Sequence, residues 1–124
     1  MNNSMTDCNI DNFWNLMDEL VAKSKIIIDR PKGSVHPRYH QIVYELDYGY
    51  LEDTKSSDNE GIDVWIGTDA EQKLDAIICT VDLVKRDSEI KLLIGCTSAE
   101  KAYIKSFYNE WPQMGGLLIE RQYE

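Results

Sequence analysis

Five β-prone runs follow one another between residues 25 and 96 of this 124-residue chain, with no helical pattern between them. They are "KIIID" (25–29), "QIVYELDYGY" (41–50), "IDVWIGT" (62–68), "KLDAIICTVDLVKRD" (73–87) and "EIKLLIGC" (89–96). Parallel neighbours need long crossovers that are usually helical, so a run of strands without them reads as antiparallel. The expectation is a small antiparallel set forming a closed or partly closed barrel. Its connections are polar or rich in Pro and Gly: "RPKGSVHPRYH", "LEDTKSSDNEG" and the hairpin turn "KRDSE".

Helical patterns flank the strands. "DNFWNLMDELVAKSK" spaces Trp14, Met17, Leu20 and Val21 for one helix face, which predicts a helix over 11–23 capped by Asn9 or Asp11. "TSAEKAYIKSFYNEW" opens with Thr97 and Glu100 at capping-box spacing, and Tyr103, Ile104, Phe107, Tyr108 and Trp111 recur at helical spacing. "PQMGG" stops this helix, and "LLIER" (117–121) reads as a short last strand. The class is α+β, mainly β, in one domain over 1–124. Residues 1–24 form an N-terminal extension and helix, 25–96 the barrel, and 97–124 a C-terminal helix and short strand.

Hydrophobic residues make up 43% of the chain, enough for a core, and the formal net charge is -9. That charge argues against nucleic acid as a partner, because phosphate backbones demand clustered Lys and Arg. No apolar run approaches membrane-spanning length, and the N-terminus does not read as a signal peptide. Cys8, Cys79 and Cys96 show no metal-ligand spacing, and the last two sit in apolar runs. Buried free thiols in a soluble cytoplasmic protein are the expectation.

The chemistry-bearing residues fall in groups. Asp58, Glu60 and Asp63 crowd the start of the third strand. Asp87 and Glu89 flank the turn before the fifth, and alternation puts Glu89 and Lys91 on one face. Asp29, Lys32 and Arg38 lie after the first strand, and Tyr44, Tyr48 and Tyr50 stud the second. Carboxylates suit hard cations such as Mg²⁺, and Lys, Arg and Tyr suit an anion that such cations also touch. Solvated acids on an exposed hairpin, with His36 and His40 as surface residues, fit the same spacing.

"DRPKGS", "YELDYGYLEDT" and "DNEGIDV", in this order, resemble the soluble family I inorganic pyrophosphatases. There an "E-I-P-K-G-S"-like strand end precedes a tyrosine segment of the "N-Y-G" kind and a signature of three aspartates. Asp58, Asn59, Ile62, Asp63 and Val64 fit that signature, whereas Glu60 and Gly61 depart from it. The resemblance runs from about Lys25 to near Trp111. It implies a five-stranded OB-like barrel with an N-terminal and a C-terminal helix. It also implies Mg²⁺-dependent hydrolysis of pyrophosphate, with several ions and Mn²⁺ as a substitute.

By the same resemblance, Asp58, Asp63, Asp87 and Glu89 would be metal ligands. Glu60 and Asp63 would be catalytic, Glu60 falling on the acid that activates water. Lys32, Arg38, Tyr48 and Lys91 would bind phosphate, and Asp29 stands at the strand-end glutamate. Family members carry a longer hairpin before the tyrosine segment, where this chain has only "VHPRYHQIV". Their C-terminal Tyr–Lys pair falls near Trp111 and Pro112, and Lys105 lies two turns earlier. The metal half is thus kept and the phosphate half thinned. A larger phosphoanhydride such as a nucleotide, or non-catalytic metal or phosphate binding, are the alternatives. The family is often oligomeric, so a homo-oligomer is compatible with the resemblance.

Overall fold

A computed structural model of the chain describes residues 4–123. Among them lie helix α1 (Ser4–Ala22), strands β1 (Ile26–Arg30), β2 (Asp47–Leu51), β3 (Ile62–Ile66), β4 (Leu74–Asp82) and β5 (Asp87–Ile94), helix α2 (Ser98–Phe107) and strand β6 (Met114–Glu120). The strands form one mixed sheet of order β1-β2-β3-β5-β4-β6. All neighbours are antiparallel except β3 and β5, which run parallel, Val64 opposite Leu92 and Ile66 opposite Ile94.

The expected five-stranded, closed or partly closed OB-like barrel is therefore corrected to a six-stranded open sheet among the described residues. The edge of β4 is occupied by β6, whose "MGGLLIE" pairs along it from Met114 opposite Asp82 to Glu120 opposite Ala76. β1 is left at the other margin with β2 as its neighbour. Boundaries also differ, and β6 starts at Met114 rather than at 117. α1 starts at Ser4, so Asn9 and Asp11 lie inside it rather than capping it. Residues 41–46 are not ladder strand, because Tyr44 N–H and C=O are spent on Ser34 and Gly33. The β4–β5 turn comes earlier than "KRDSE", since Asp82 Oδ1 accepts from Val84 and Lys85 N–H and starts it there.

Strand alternation gives the sheet two apolar faces. One carries Leu51, Val64, Leu74, Ile77, Leu92 and Ile94 beneath Trp14, Met17, Leu20 and Val21 of α1. The Arg121 guanidinium grips both Asp18 carboxylate oxygens at 2.9 Å and ties α1 to the end of β6. The other face carries Tyr48, Trp65, Ile78 and Leu93 beneath Ile104 of α2 and its C-cap residue Tyr108. The predicted capping box of α2 is present, Thr97 Oγ1 accepting from Glu100 N–H and Glu100 Oε1 from Thr97 N–H.

Trp65 is fully buried at the centre of the second face. Tyr48, Phe107 and Tyr108 meet its ring edge-on at centroid distances of 4.9, 5.1 and 6.1 Å, and its Nε1–H donates to Tyr108 OH at 3.0 Å. β1 approaches β2 so closely that a Cβ on Gly49 would stand 1.9 Å from Ile27 O. Backbone cannot rotate away as a side chain can, so Gly49→Ala is expected to lower the unfolding free energy by about 3 kcal/mol, read by urea titration.

Candidate active site

The face that holds Trp65 becomes polar toward one end of the sheet. Asp63 precedes Trp65 by two residues on β3, and Lys91 and Glu89 precede Leu93 by two and four on β5, so period two puts all of them on that face. The parallel pairing of Val64 with Leu92 then sets Asp63 beside Lys91, one step back on each strand. Lys91 Nζ donates to Asp63 Oδ2 at 2.6 Å, to Glu89 Oε1 at 2.9 Å and to Tyr48 OH at 3.1 Å. An ammonium has three donors, and all three are used.

Lys91 is only 8% exposed. Burial alone would push its pKa down, but Tyr108, Tyr48 and Asp63 around it reverse this, and it sits well above the usual lysine value. Tyr48 is likewise held well above the usual phenol value, chiefly by burial. The ammonium is therefore a fixed positive charge with two carboxylates and a phenol around it.

The acid loop reaches this site through serines. Ser57 Oγ donates to Ser88 O at 2.7 Å, which pins the loop to the start of β5. Asp58 Oδ1 accepts from Ser56 Oγ at 2.5 Å and from Glu60 N–H at 3.0 Å, and Asn59 takes a left-handed φ of 70°. The loop is thus a side-chain-capped turn, which Asp and Asn favour. It brings one carboxylate oxygen each of Asp58, Asp87 and Glu89 within 4.8 Å of one another.

These neighbours perturb each other in opposite senses. The Ser56 hydroxyl, helped by Glu89 and the Glu60 N–H and opposed by burial, holds Asp58 down at about 2. Burial pushes Glu89 up, and Asp58 and Asp63 add to it against the pull of Lys91. Adjacent carboxylates whose titrations are driven apart are relieved by a shared proton or a shared cation.

Other residues singled out in the sequence stand as follows. Asp63 lies against Lys91, outside the group of three acids. Glu60 is exposed on the loop beside Asp58. Lys32 is exposed, its backbone N–H donating to Asp47 Oδ1 at 2.8 Å. Arg38 is exposed with its guanidinium 5.9 Å from the Tyr39 ring centre. Trp111, Pro112 and Lys105 are exposed, and Asp29 is exposed on β1.

The family model described as Inorganic Pyrophosphatase matches residues 8–122. The chain belongs to the inorganic pyrophosphatase family. No curated protein and no solved structure matches it. Membership supports a pyrophosphatase-like hydrolase, and family members use divalent metals, for which the Asp58–Asp87–Glu89 group offers oxygen ligands. Two residues beside this family member's site were not singled out from the sequence. Arg30 Nη1 donates to Tyr44 OH, and Tyr108 closes the aromatic wall behind Lys91. An arginine closing the apolar run that begins at Ile26 was the available signal for the first.

Removing the Lys91 charge leaves Asp63 and Glu89 partly buried without their partner. Lys91→Met is expected to cost about 3 kcal/mol near neutral pH. Losing the lysine removes what holds Glu89 down, so its folded pKa rises further above the unfolded one. The folded state then binds more protons, and the variant should lose stability as pH rises from the ordinary glutamate range toward neutrality. Urea midpoints across pH 4–7 check the sign.

Proposed function

We propose that the protein hydrolyses inorganic pyrophosphate to two phosphates with Mg²⁺, Mn²⁺ serving as a substitute. The observation that carries this is the Asp58–Asp87–Glu89 group set beside a buried lysine and tyrosine in a pyrophosphatase-family chain. The residues fit the metal. Every donor is a carboxylate oxygen, the hard ligand that Mg²⁺ prefers. Asp58, Asp87 and Glu89 would hold it, with Asp63 completing the oxygen set from β3. Bound there, Mg²⁺ would supply Lewis-acid neutralisation of phosphate charge and would lower the pKa of water.

The protein's own groups do the rest. Glu60, exposed on the same turn as Asp58, takes the proton from the attacking water. Lys91 would bind phosphate by exchanging one of its carboxylate partners for a phosphate oxygen, with the Tyr48 hydroxyl beside it. Lys32 and Arg38 on the following loop add positive charge toward the leaving phosphate. Glutamate is one methylene longer than aspartate, and a displacement of about 1 Å can change a rate on the order of a hundredfold, so Glu60 tunes turnover. The unpaired thiols fit a reducing cytoplasm, and burial pushes Cys96 up to about 12, which keeps it unreactive.

Phosphate release from pyrophosphate should require Mg²⁺ or Mn²⁺. Glu60→Gln should lower kcat by about 10²- to 10⁴-fold while keeping the rise in melting temperature that Mg²⁺ produces. Asp58→Asn and Glu89→Gln should lose that rise along with activity. Release from a nucleoside polyphosphate but not from pyrophosphate would replace the substrate assignment. No release from either, with a melting temperature indifferent to Mg²⁺, would overturn the metal site as well.

A further inference from the structure

Among the partly or fully buried basic side chains described, Lys91, Lys101 and Arg121 each hold carboxylates: Lys91 pairs with Asp63 and Glu89, Lys101 with Asp75 and Glu120, and Arg121 with Asp18. Arg30 makes no ion pair among the described residues. One of its N–H groups goes to Tyr44 OH, and its guanidinium lies 5.4 Å from the Tyr44 ring centre and 5.6 Å from that of Tyr48. A guanidinium has five N–H donors in a planar fork suited to phosphate. Bonded to the Tyr44 hydroxyl and lying close to both rings, it is held in place before any ligand arrives, which cuts the entropy lost on binding.

Its position is set by an irregularity in β1. Ile28 faces Gly49 and Arg30 faces Tyr48, so two residues of β1 advance against one of β2. Regular pairing would leave Arg30 on the side of Ile26 and Ile28, toward α1. The bulge turns it to the side of Tyr48, and re-aiming a side chain is what bulges near sites do. Lys91 Nζ lies 5.7 Å from the centre of the same Tyr48 ring. Two cations therefore flank one phenol, Lys91 bound by acids and Arg30 without one.

Further positive charge gathers nearby. His36 stacks on Tyr44 at 6.2 Å and 12°. Burial first, and then the charges of Arg30, Lys85 and Arg38, lower its pKa. An anion is the ligand that such an arrangement favours.

We infer that Arg30 is a substrate-binding residue whose guanidinium takes a phosphate group of the phosphoanhydride, across Tyr48 from Lys91. This rests on the hydrolase reading above and adds to the loop cations Lys32 and Arg38 a guanidinium held on β1. The Tyr44 hydroxyl acts as a positioning group that fixes the fork.

Calorimetric titration with imidodiphosphate in the presence of Mg²⁺, beside steady-state kinetics on pyrophosphate, tests it. Arg30→Gln should weaken imidodiphosphate binding on the order of 10- to 100-fold and raise KM more than it lowers kcat. Arg30→Lys keeps the charge and loses the fork, so it should weaken binding by about tenfold. The melting-temperature rise with Mg²⁺ alone should be unchanged in both, since the three acids do not include Arg30. An unchanged Kd in Arg30→Gln would overturn the inference and leave the hydrolase reading intact. Arg30-dependent binding without phosphate release from pyrophosphate would do the reverse. A wild-type protein that binds no imidodiphosphate overturns both. If Arg30→Gln fails to fold, Arg30→Lys carries the test, and wild-type affinity in that variant overturns the inference.

Discussion

The site depends on one buried ammonium. Lys91 sits under the aromatic face of the sheet, where an unpaired charge would be costly, and it is kept charged by contacts with Asp63, Glu89 and Tyr48. The dependence is mutual. Without the lysine, two carboxylates would face each other beside Asp58 in a region half shielded from water. With it, the acids nearer the loop can be left without a protein cation, which is the condition for a metal to be welcome there. Structure and chemistry thus draw on the same charge.

The division of the sheet into two faces gives this arrangement its support. α1 seals the purely apolar face, and α2 seals only part of the other. Where α2 stops covering, the same strands switch from Trp65 and Leu93 to Asp63, Lys91 and Glu89. Polar residues are thereby anchored on strands whose adjoining residues are core, so the donors are held by the scaffold and not by loop packing. Of the acids, only Asp58 and Glu60 ride on a loop, and Ser57 ties that loop down.

How much of this was readable in advance follows from how local each signal is. The capping box of α2 and the pairing of Glu89 with Lys91 on one face involve residues two or three apart, and both are present. The crowding of Asp58 with Asp87 and Glu89 was legible only through the resemblance, because it joins segments far apart in the chain. The open sheet was not legible. The parallel union of β3 with β5, and the capture of the β4 edge by β6, are choices between competing non-local pairings that alternation leaves equal. The same holds for the cations. Arg38, Lys32 and Arg30 all lie on one short stretch after the first strand's apolar run, and a one-residue slip in β1 turns one of them toward Tyr48.

The parallel β3–β5 pair has a kinetic meaning. Hairpins form from chain neighbours, but Asp63 and Lys91 are 28 residues apart and meet only when the β4–β5 hairpin docks as a unit against β3. Such contacts carry the loop-closure entropy of a long intervening segment and form after local structure. The charge cluster is therefore completed after the hairpins, and a chain with every hairpin made but this seam open holds Asp63 without its lysine. The seam that builds the site is also the step by which the chain commits to its native topology.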